Sequence, residues 1–312
     1  MRQILRSWRR KLFGLTLTRS LPFLALGLTI VIWAGYLVAV RASVASALTP
    51  FDVGLLRSAP AALLLAPIIL RHGLRPGGAS WLDVALIGGV GGTAFTLLLA
   101  SGMQFAPVAD SGVFTPSMLP LFVAMLAMIF LGTRYGGSQI FGFCLILAGA
   151  IGVGGYEALA RAGDGAWRGH ILFLIASLSW ATYTVRFRAS GLSPSHGAVI
   201  LVSWSTILFL IAASIYGSQL PELPSTVLLV QLFWGVAAGL IANFTYLYAL
   251  KQLGHVISAA ATALVPVLAA LGGMVFLDEP ITGFKWIGIL LAAVGVALAA
   301  GILSARVTST RA

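Results

Sequence analysis

The chain has 312 residues, 59% of them hydrophobic and only 9% charged, with a formal net charge of +11 and a mean hydropathy of +1.01. Soluble domains carry about a quarter charged residues, so the composition excludes a soluble globular protein and places the chain in lipid. Its one cysteine, Cys144, excludes an intrachain disulfide.

The chain opens on a basic head, MRQILRSWRRK, that leads into a full-length apolar run with no small-residue cleavage site. It reads as a first span and not as a removable signal. Crossing a bilayer takes about 20 mostly apolar residues. Such runs lie at 21–40, 51–70, 81–101, 110–131, 138–155, 170–185, 197–216, 227–250, 257–277 and 284–303. With a cytoplasmic N-terminus and ten alternating spans, fourteen Lys and Arg residues fall inside. Four fall outside (Arg41, Arg161, Arg168 and Lys285), and Arg57 is left within the second span. Cytoplasmic loops carry the excess of basic residues, so both termini are expected on the cytoplasmic side of a bacterial inner membrane. The positive charge is thereby an orientation signal spread over short loops. It forms no aromatic-interleaved patch of the kind that binds nucleic acid.

The second half of the chain repeats the first. WAGYLVAVRAS at 33–43 and WATYTVRFRAS at 180–190 agree at seven of eleven positions, 147 residues apart. Pro120 and Pro266, 146 apart, are each followed eight residues later by a matching tetrad, MIFL and MVFL, and LAGAIGV at 147–153 matches LLAAVGV at 290–296. Five spans per copy is an odd number, so a first copy that starts inside is followed by a second that starts outside. Inverted repeats of this kind let many secondary transporters alternate access around a site near the membrane midplane. The expected fold is an all-helical, ten-span membrane protein. Its parts are a basic N-terminal segment at 1–20, a first repeat at 21–155, an external linker at 156–169, an inverted second repeat at 170–303 and a cytoplasmic tail at 304–312.

Two stretches carry a family resemblance: PFDVGLLRSAPAALLL at 50–65, with an arginine inside a span, and YALKQLGHVISAAATALVPVLAALGGMVFLDEP at 248–280. On these, the chain after Thr18 resembles the ten-helix EamA-type transporters of the drug/metabolite transporter superfamily. The resemblance implies a proton-gradient-linked or facilitative exporter of small metabolites, with bacterial amino-acid exporters as the nearest kind.

Trp33 and Trp180 fall in mid-span, away from the interfaces where tryptophan gathers, and Tyr36 and Tyr183 lie three residues on, on the same helix faces. A buried indole N–H needs an acceptor. A polar cavity supplies one and so does a neighbouring carbonyl in tight packing, and both readings stand. Asn243 lies mid-membrane with Tyr246 on its face and Phe95 as its repeat counterpart. An unpaired amide in hydrocarbon costs several kcal/mol, so Asn243 faces either a substrate or another helix. Thr115 and Met118, just before Pro120, are expected to line the same space, and Pro116, Pro120 and Pro266 to act as kinks or hinges. The glycines at 88, 89, 91 and 92 read as a close-packing face. Arg57, a charge inside a span, is functional by default. It is expected to meet a substrate carboxylate, to bond carbonyls or an acid such as Asp110, or to snorkel to the outer interface.

No Asp or Glu falls deep within a run. Asp52, Asp110, Glu157, Asp164, Glu222, Asp278 and Glu279 sit at outer ends and Asp83 at an inner one, and His72, His170, His196 and His255 lie near helix ends. A carboxylate proton relay therefore has no evident place. G-x-x-x-x-G-K-[ST], H-E-x-x-H and G-x-S-x-G are all absent, so neither an enzyme nor a cofactor or metal site is expected. The function expected is export of small metabolites, first neutral amino acids including aromatic ones, through an aromatic-lined cavity. Nucleosides, sugars or drugs are the alternative cargo, and a membrane enzyme of lipid-linked substrates is the alternative class. The expected partners are a small-molecule substrate and membrane lipid, with no nucleic acid; oligomeric state stays open.

Overall fold

A computed structural model of the chain describes residues 2–45, 48–160, 165–220, 224–253 and 255–301, and among these there is no strand. Each of the ten apolar runs is helical over most of its described length. Six helices among the described residues are long and apolar enough to cross a membrane: Ser20–Ala45, Trp81–Gly102, Val108–Leu131, Gly137–Gly155, Pro194–Tyr216 and Ser225–Tyr246. A bent pair, Pro50–Leu64 with Ala66–His72, makes a seventh if taken as one span, and Leu264–Leu277 and Gly283–Ala299 are apolar but shorter. Large apolar side chains such as Leu70, Ile129, Phe130, Ile151 and Phe276 cover the exterior, an exposure that marks contact with membrane and not with water.

The first helix, α1 (Arg2–Ala45), joins the basic head to the first apolar run as one 44-residue rod, since Arg and Lys are good helix formers. Helix α2 (Pro50–Leu64) starts on a capping box, in which Thr49 Oγ1 accepts from Asp52 N and Asp52 accepts from Thr49 N, with proline in the first turn. A 69° bend then separates it from α3 (Ala66–His72), where a single straight run over 51–70 is expected from the sequence. Pro67, in the first turn of α3, has no amide hydrogen to offer the preceding turn, and the ladder breaks there. Helix α4 (Trp81–Asp83) begins on the same device, Ser80 with Asp83.

Among the described residues, three rods pass through π-helical stretches. α4 continues through Val84–Ala94 into α5 (Phe95–Gly102), α6 (Val108–Gly112) through Val113–Ser117 into α7 (Leu119–Leu131), and α11 (Ser225–Val236) through Ala237–Ile241 into α12 (Ala242–Leu253). The others are α8 (Gly137–Ala160), α9 (Ala166–Ser190), α10 (Pro194–Tyr216), α13 (His255–Ala261), α14 (Leu264–Leu277) and α15 (Gly283–Ala299). Most of the expected linker at 156–169 is thus helix, shared between the end of α8 and the start of α9, and 161–164 fall outside the described residues.

Glycine sets how closely these rods approach. Helices α8 and α15 cross antiparallel along a line where a Cβ on Gly142 would lie 2.5 Å from Ala299 N and one on Gly149 2.5 Å from Gly288 O. Gly295 and Gly288 return the contact from α15, so each helix contributes two glycines seven residues apart. In the π stretch before α5, Gly88, Gly91 and Gly92 admit Trp204, Tyr183 and Ser205, whereas Gly89 meets nothing within 4 Å. The glycine cluster is a packing face, as its composition indicates.

The bundle is tied at both ends by charge. At one end Arg186 Nε donates to Asp83 Oδ1 at 2.7 Å. At the other, Arg41 Nε donates to Glu279 Oε1 at 2.8 Å, the second Glu279 oxygen accepts from Val108 N at 2.9 Å, and an Arg41 Nη1 donates to Met103 O.

Candidate functional site

A cavity of about 120 Å³ lies among α1, α2, α5, the Val113–Ser117 stretch, α9, α12 and α14, with walls drawn from both halves of the chain. Helix α1 presents Trp33, Tyr36 and Leu37, and α9 presents Ser177 and Trp180, spaced three apart so that each set shares a face. The two tryptophans of the repeated motif therefore meet one space from opposite halves. Phe95, Thr115, Pro116 and Asn243 also line it, together with Arg57 and the apolar Leu99, Leu119, Ala238 and Val265.

The rings interlock. Phe95 stands 4.7 Å from Trp180, which meets Tyr183 at 4.9 Å, while Trp33 meets Tyr246 at 5.2 Å. Tyr183 and Tyr246 back the wall and are not part of it. Tyr183 is held by the close approach of Gly91. Met118 is buried at the start of α7, also behind the wall. Pro120 sits in the first turn of α7, and the Pro266 backbone packs on Gly112; neither faces the cavity. Pro116 does, inside its π stretch. A proline there withdraws a donor from Gly112 O, and that carbonyl instead accepts from Ser117 Oγ at 3.1 Å. Ser177 Oγ donates to the neighbouring Thr115 O at 2.8 Å, joining α9 to this stretch.

Arg57 turns into the cavity. Its Nη1 donates to Thr96 Oγ1 at 3.0 Å, and its guanidinium carbon lies 5.2 Å from the Tyr36 ring, 5.1 Å from Phe95 and 5.6 Å from Trp180. Three rings and a hydroxyl hold the cation, and no carboxylate pairs with it among the described residues. Snorkelling and a bond to Asp110 are both overturned: the rings attract the guanidinium inward, and Asp110 is occupied elsewhere. Thr115 Oγ1, a buried hydroxyl of the same wall, has no hydrogen-bond partner among the described residues. An unpaired buried hydroxyl costs about 1–3 kcal/mol, so it is poised for a polar group entering the cavity. Asn243 donates through Nδ2 to Gly239 O at 2.9 Å, which satisfies one hydrogen and leaves its carbonyl oxygen for another partner. The wall thus combines one cation, a few neutral polar groups and broad apolar faces, with no acid, histidine or thiol in it among the described residues.

A model of the EamA-like transporter family matches the chain twice, over residues 21–155 and 167–301. The chain belongs to the EamA-like transporter family. A protein of Streptantibioticus cattleyicolor named probable terminal-alkyne amino-acid exporter is 27% identical over 88% of this chain and 91% of its own length. The inner membrane transporter YedA of Escherichia coli K12 is 28% identical over 83% of this chain and 84% of its own. A crystal structure 20% identical in sequence superposes with a TM-score of 0.62, covering 92% of this chain and 98% of that one, and shares the fold. The protein is accordingly a multi-pass membrane transporter and not an enzyme.

Sequence reasoning missed a cluster at the end of the family fold where α1 finishes. Asp110 is fully buried, with Lys285 Nζ 2.8 Å from one carboxylate oxygen and His170 Nε2 2.8 Å from the other. Lys285, counted among the outside charges, and His170, read near a helix end, are both buried. Position at the end of a run says nothing about lateral burial against neighbouring helices. Asp52 and Asp83 are buried too, but each serves its capping box, and Asp52 also accepts from Ser218 Oγ at 2.6 Å. A signal for these two was present in the Thr-x-x-Asp and Ser-x-x-Asp spacings.

Proposed function

We propose that the protein exports small zwitterionic metabolites, neutral amino acids including aromatic ones first, by alternating access around this cavity. In this reading the ten helical runs are ten spans of two inverted repeats in a bacterial inner membrane, with both termini cytoplasmic. The antiparallel crossing of α8 and α15, the last helices of the two halves, supports the inversion, as does the paired use of Trp33 and Trp180.

The observation that carries the substrate class is Arg57, a cation set among rings with no carboxylate partner among the described residues, in a wall that also holds the unpaired hydroxyl of Thr115. A substrate carboxylate completes the charge, charge-assisted bonds to an arginine fork being the strongest available there. The substrate's ammonium fits the aromatic faces and the free oxygens of Thr115 and Asn243, and its apolar body fits the indoles and Leu37. The exporter named above agrees with this class of cargo. Counterflow of radiolabelled L-leucine, L-phenylalanine, uridine and glucose by purified protein in liposomes tests it. Amino acids are expected to exchange; movement of uridine or glucose alone would overturn the substrate class.

A further inference from the structure

A second and larger space lies on the outside of the bundle. Helices α11 and α14 both pack on α1, and between them runs a groove of about 670 Å³ floored by α1 from Val31 to Ala42. Small residues make it deep. Ala34, Ala39 and Ala42 pave the floor, the Trp234 ring lies where a Cβ on Gly35 would stand, and a Cβ on Gly272 would lie 2.7 Å from Val38 Cγ2. Among the described residues the lining holds no charge and a single amide, Gln231. Its rim is continuous with the lipid-facing exterior, since Val31, Val230, Val275 and Phe276 are all exposed.

The length of the groove matches one leaflet. Val31 to Ala42 spans about 16 Å at about 1.5 Å per residue, and half of a hydrocarbon core about 30 Å thick is about 15 Å. Val31 stands near the middle of the membrane stretch Ser20–Ala45, and the Arg41–Glu279 ion pair stands at the groove's far end, so the groove runs from the midplane to one face. Water does not fill such a space, because an apolar cavity offers it too few partners. Left empty, the walls forfeit their dispersion contacts. An acyl chain, the flexible apolar filler that a bilayer supplies at this depth, restores them.

We propose that this groove seats one acyl chain of an outer-leaflet phospholipid, held as a resident part of the structure behind the cavity. The choice of leaflet rests on the transporter orientation proposed above; the ligand class does not. Helix α1 stands between the two spaces, with Ala34 and Val38 toward the groove and Trp33, Tyr36 and Leu37 toward the cavity. A chain in the groove therefore backs the wall that the substrate meets.

A photoactivatable lipid tests this without any substrate. Purified protein in a Cys144→Ala background is placed in phosphatidylcholine vesicles that carry a trace of phosphatidylcholine with a mid-chain diazirine, and the labelled peptides are mapped by mass spectrometry after illumination. Labelling of the groove segments is expected to exceed by about fivefold that of Ile211 and Ile215, which are exposed on α10 toward the same end of the bundle. Ala42→Phe, which fills the groove's outer part, and Val275→Trp, which covers its rim, should each bring that ratio close to one. Leu28→Phe, exposed on α1 outside the groove, should leave it unchanged. Even labelling of groove and α10 in the parent would overturn the proposal, and so would a ratio that the filling variants do not move. Should Ala42→Phe not fold, Val275→Trp, at a position already exposed, carries the comparison. A second copy of the chain is the rival occupant: disulfide-linked dimers of Val275→Cys on oxidation, with the groove unlabelled, would overturn the lipid in its favour. L-Leucine counterflow in the same vesicles keeps this inference apart from the function. Exchange with even labelling defeats the lipid site alone, and preferential labelling without exchange defeats the substrate class alone.

Discussion

Arg57 owes its position to Thr96 and three rings, and this arrangement sets what its replacement should do. Arg57→Lys keeps the charge but loses the fork and the ring stacking, and Arg57→Ala loses both. Affinity for L-leucine is expected to fall about ten- to a hundredfold in the alanine variant, matching the roughly 1.5–3 kcal/mol of a hydrogen bond to a charged group. Unchanged affinity, measured by binding to purified protein, would make Arg57 a structural residue. The two tryptophans give a second contrast. Trp33→Ala and Trp180→Ala should weaken substrate binding more than Trp81→Ala, since Trp81 is exposed and edge-on to Trp204. Trp→Phe at either cavity site should cost only about 1 kcal/mol, the share of one neutral hydrogen bond. If they only pack, alanine lowers the melting temperature by an amount equivalent to about 3–5 kcal/mol and leaves affinity intact, so both quantities must be read on the same samples.

At the scale of elements, glycine contacts decide where a methyl group is tolerated. Gly149 and Gly155 lie on one helix, α8, yet a Cβ at Gly149 meets Gly288 O at 2.5 Å while one at Gly155 meets nothing within 4 Å. Gly149→Ala is expected to destabilise by about 1–3 kcal/mol through overpacking. Gly155→Ala should stabilise by about 0.4–1 kcal/mol, because it restricts the unfolded chain without a clash. Thermal unfolding in one detergent compares them, and equal melting temperatures would contradict the α8–α15 contact. The π stretches belong to the same scale. Val84–Ala94 runs directly into the cavity residue Phe95, Val113–Ser117 contains Thr115 and Pro116, and Ala237–Ile241 holds Ala238 and leads to Asn243. Such insertions re-aim side chains and recur at functional sites.

For the whole molecule the orientation is open to direct measurement. In the Cys144→Ala background, Arg168→Cys, in the first turn of α9, should react with an impermeant maleimide in intact cells. Arg134→Cys, between α7 and α8, should react only after lysis. Equal labelling from outside would rule out ten alternating spans with cytoplasmic termini. Both positions are exposed, so burial does not confound the comparison. Exchange of labelled for unlabelled amino acid is further expected to proceed without a pH gradient, since counterflow involves no net proton movement.

Length and apolarity of the runs, the Trp-Ala-x-Tyr repeat and the mid-span positions of Trp33, Trp180, Arg57 and Asn243 are local properties of the chain. Helix, membrane residence and half of the cavity wall could therefore be read without coordinates. Backbone groups in lipid must satisfy one another within the same segment, which leaves such runs no alternative to helix. Contacts between segments have no such local signature. That Asp110 meets Lys285 175 residues away and His170 60 away, that Tyr183 and Tyr246 stand behind the wall while Ser177 stands on it, and that Gly142 and Gly149 receive Gly295 and Gly288 all depend on how the rods rotate about their axes. Those rotations are set by the sum of many small packing terms across the bundle, so only the tertiary structure decided which charges were buried together and which rings faced the cavity.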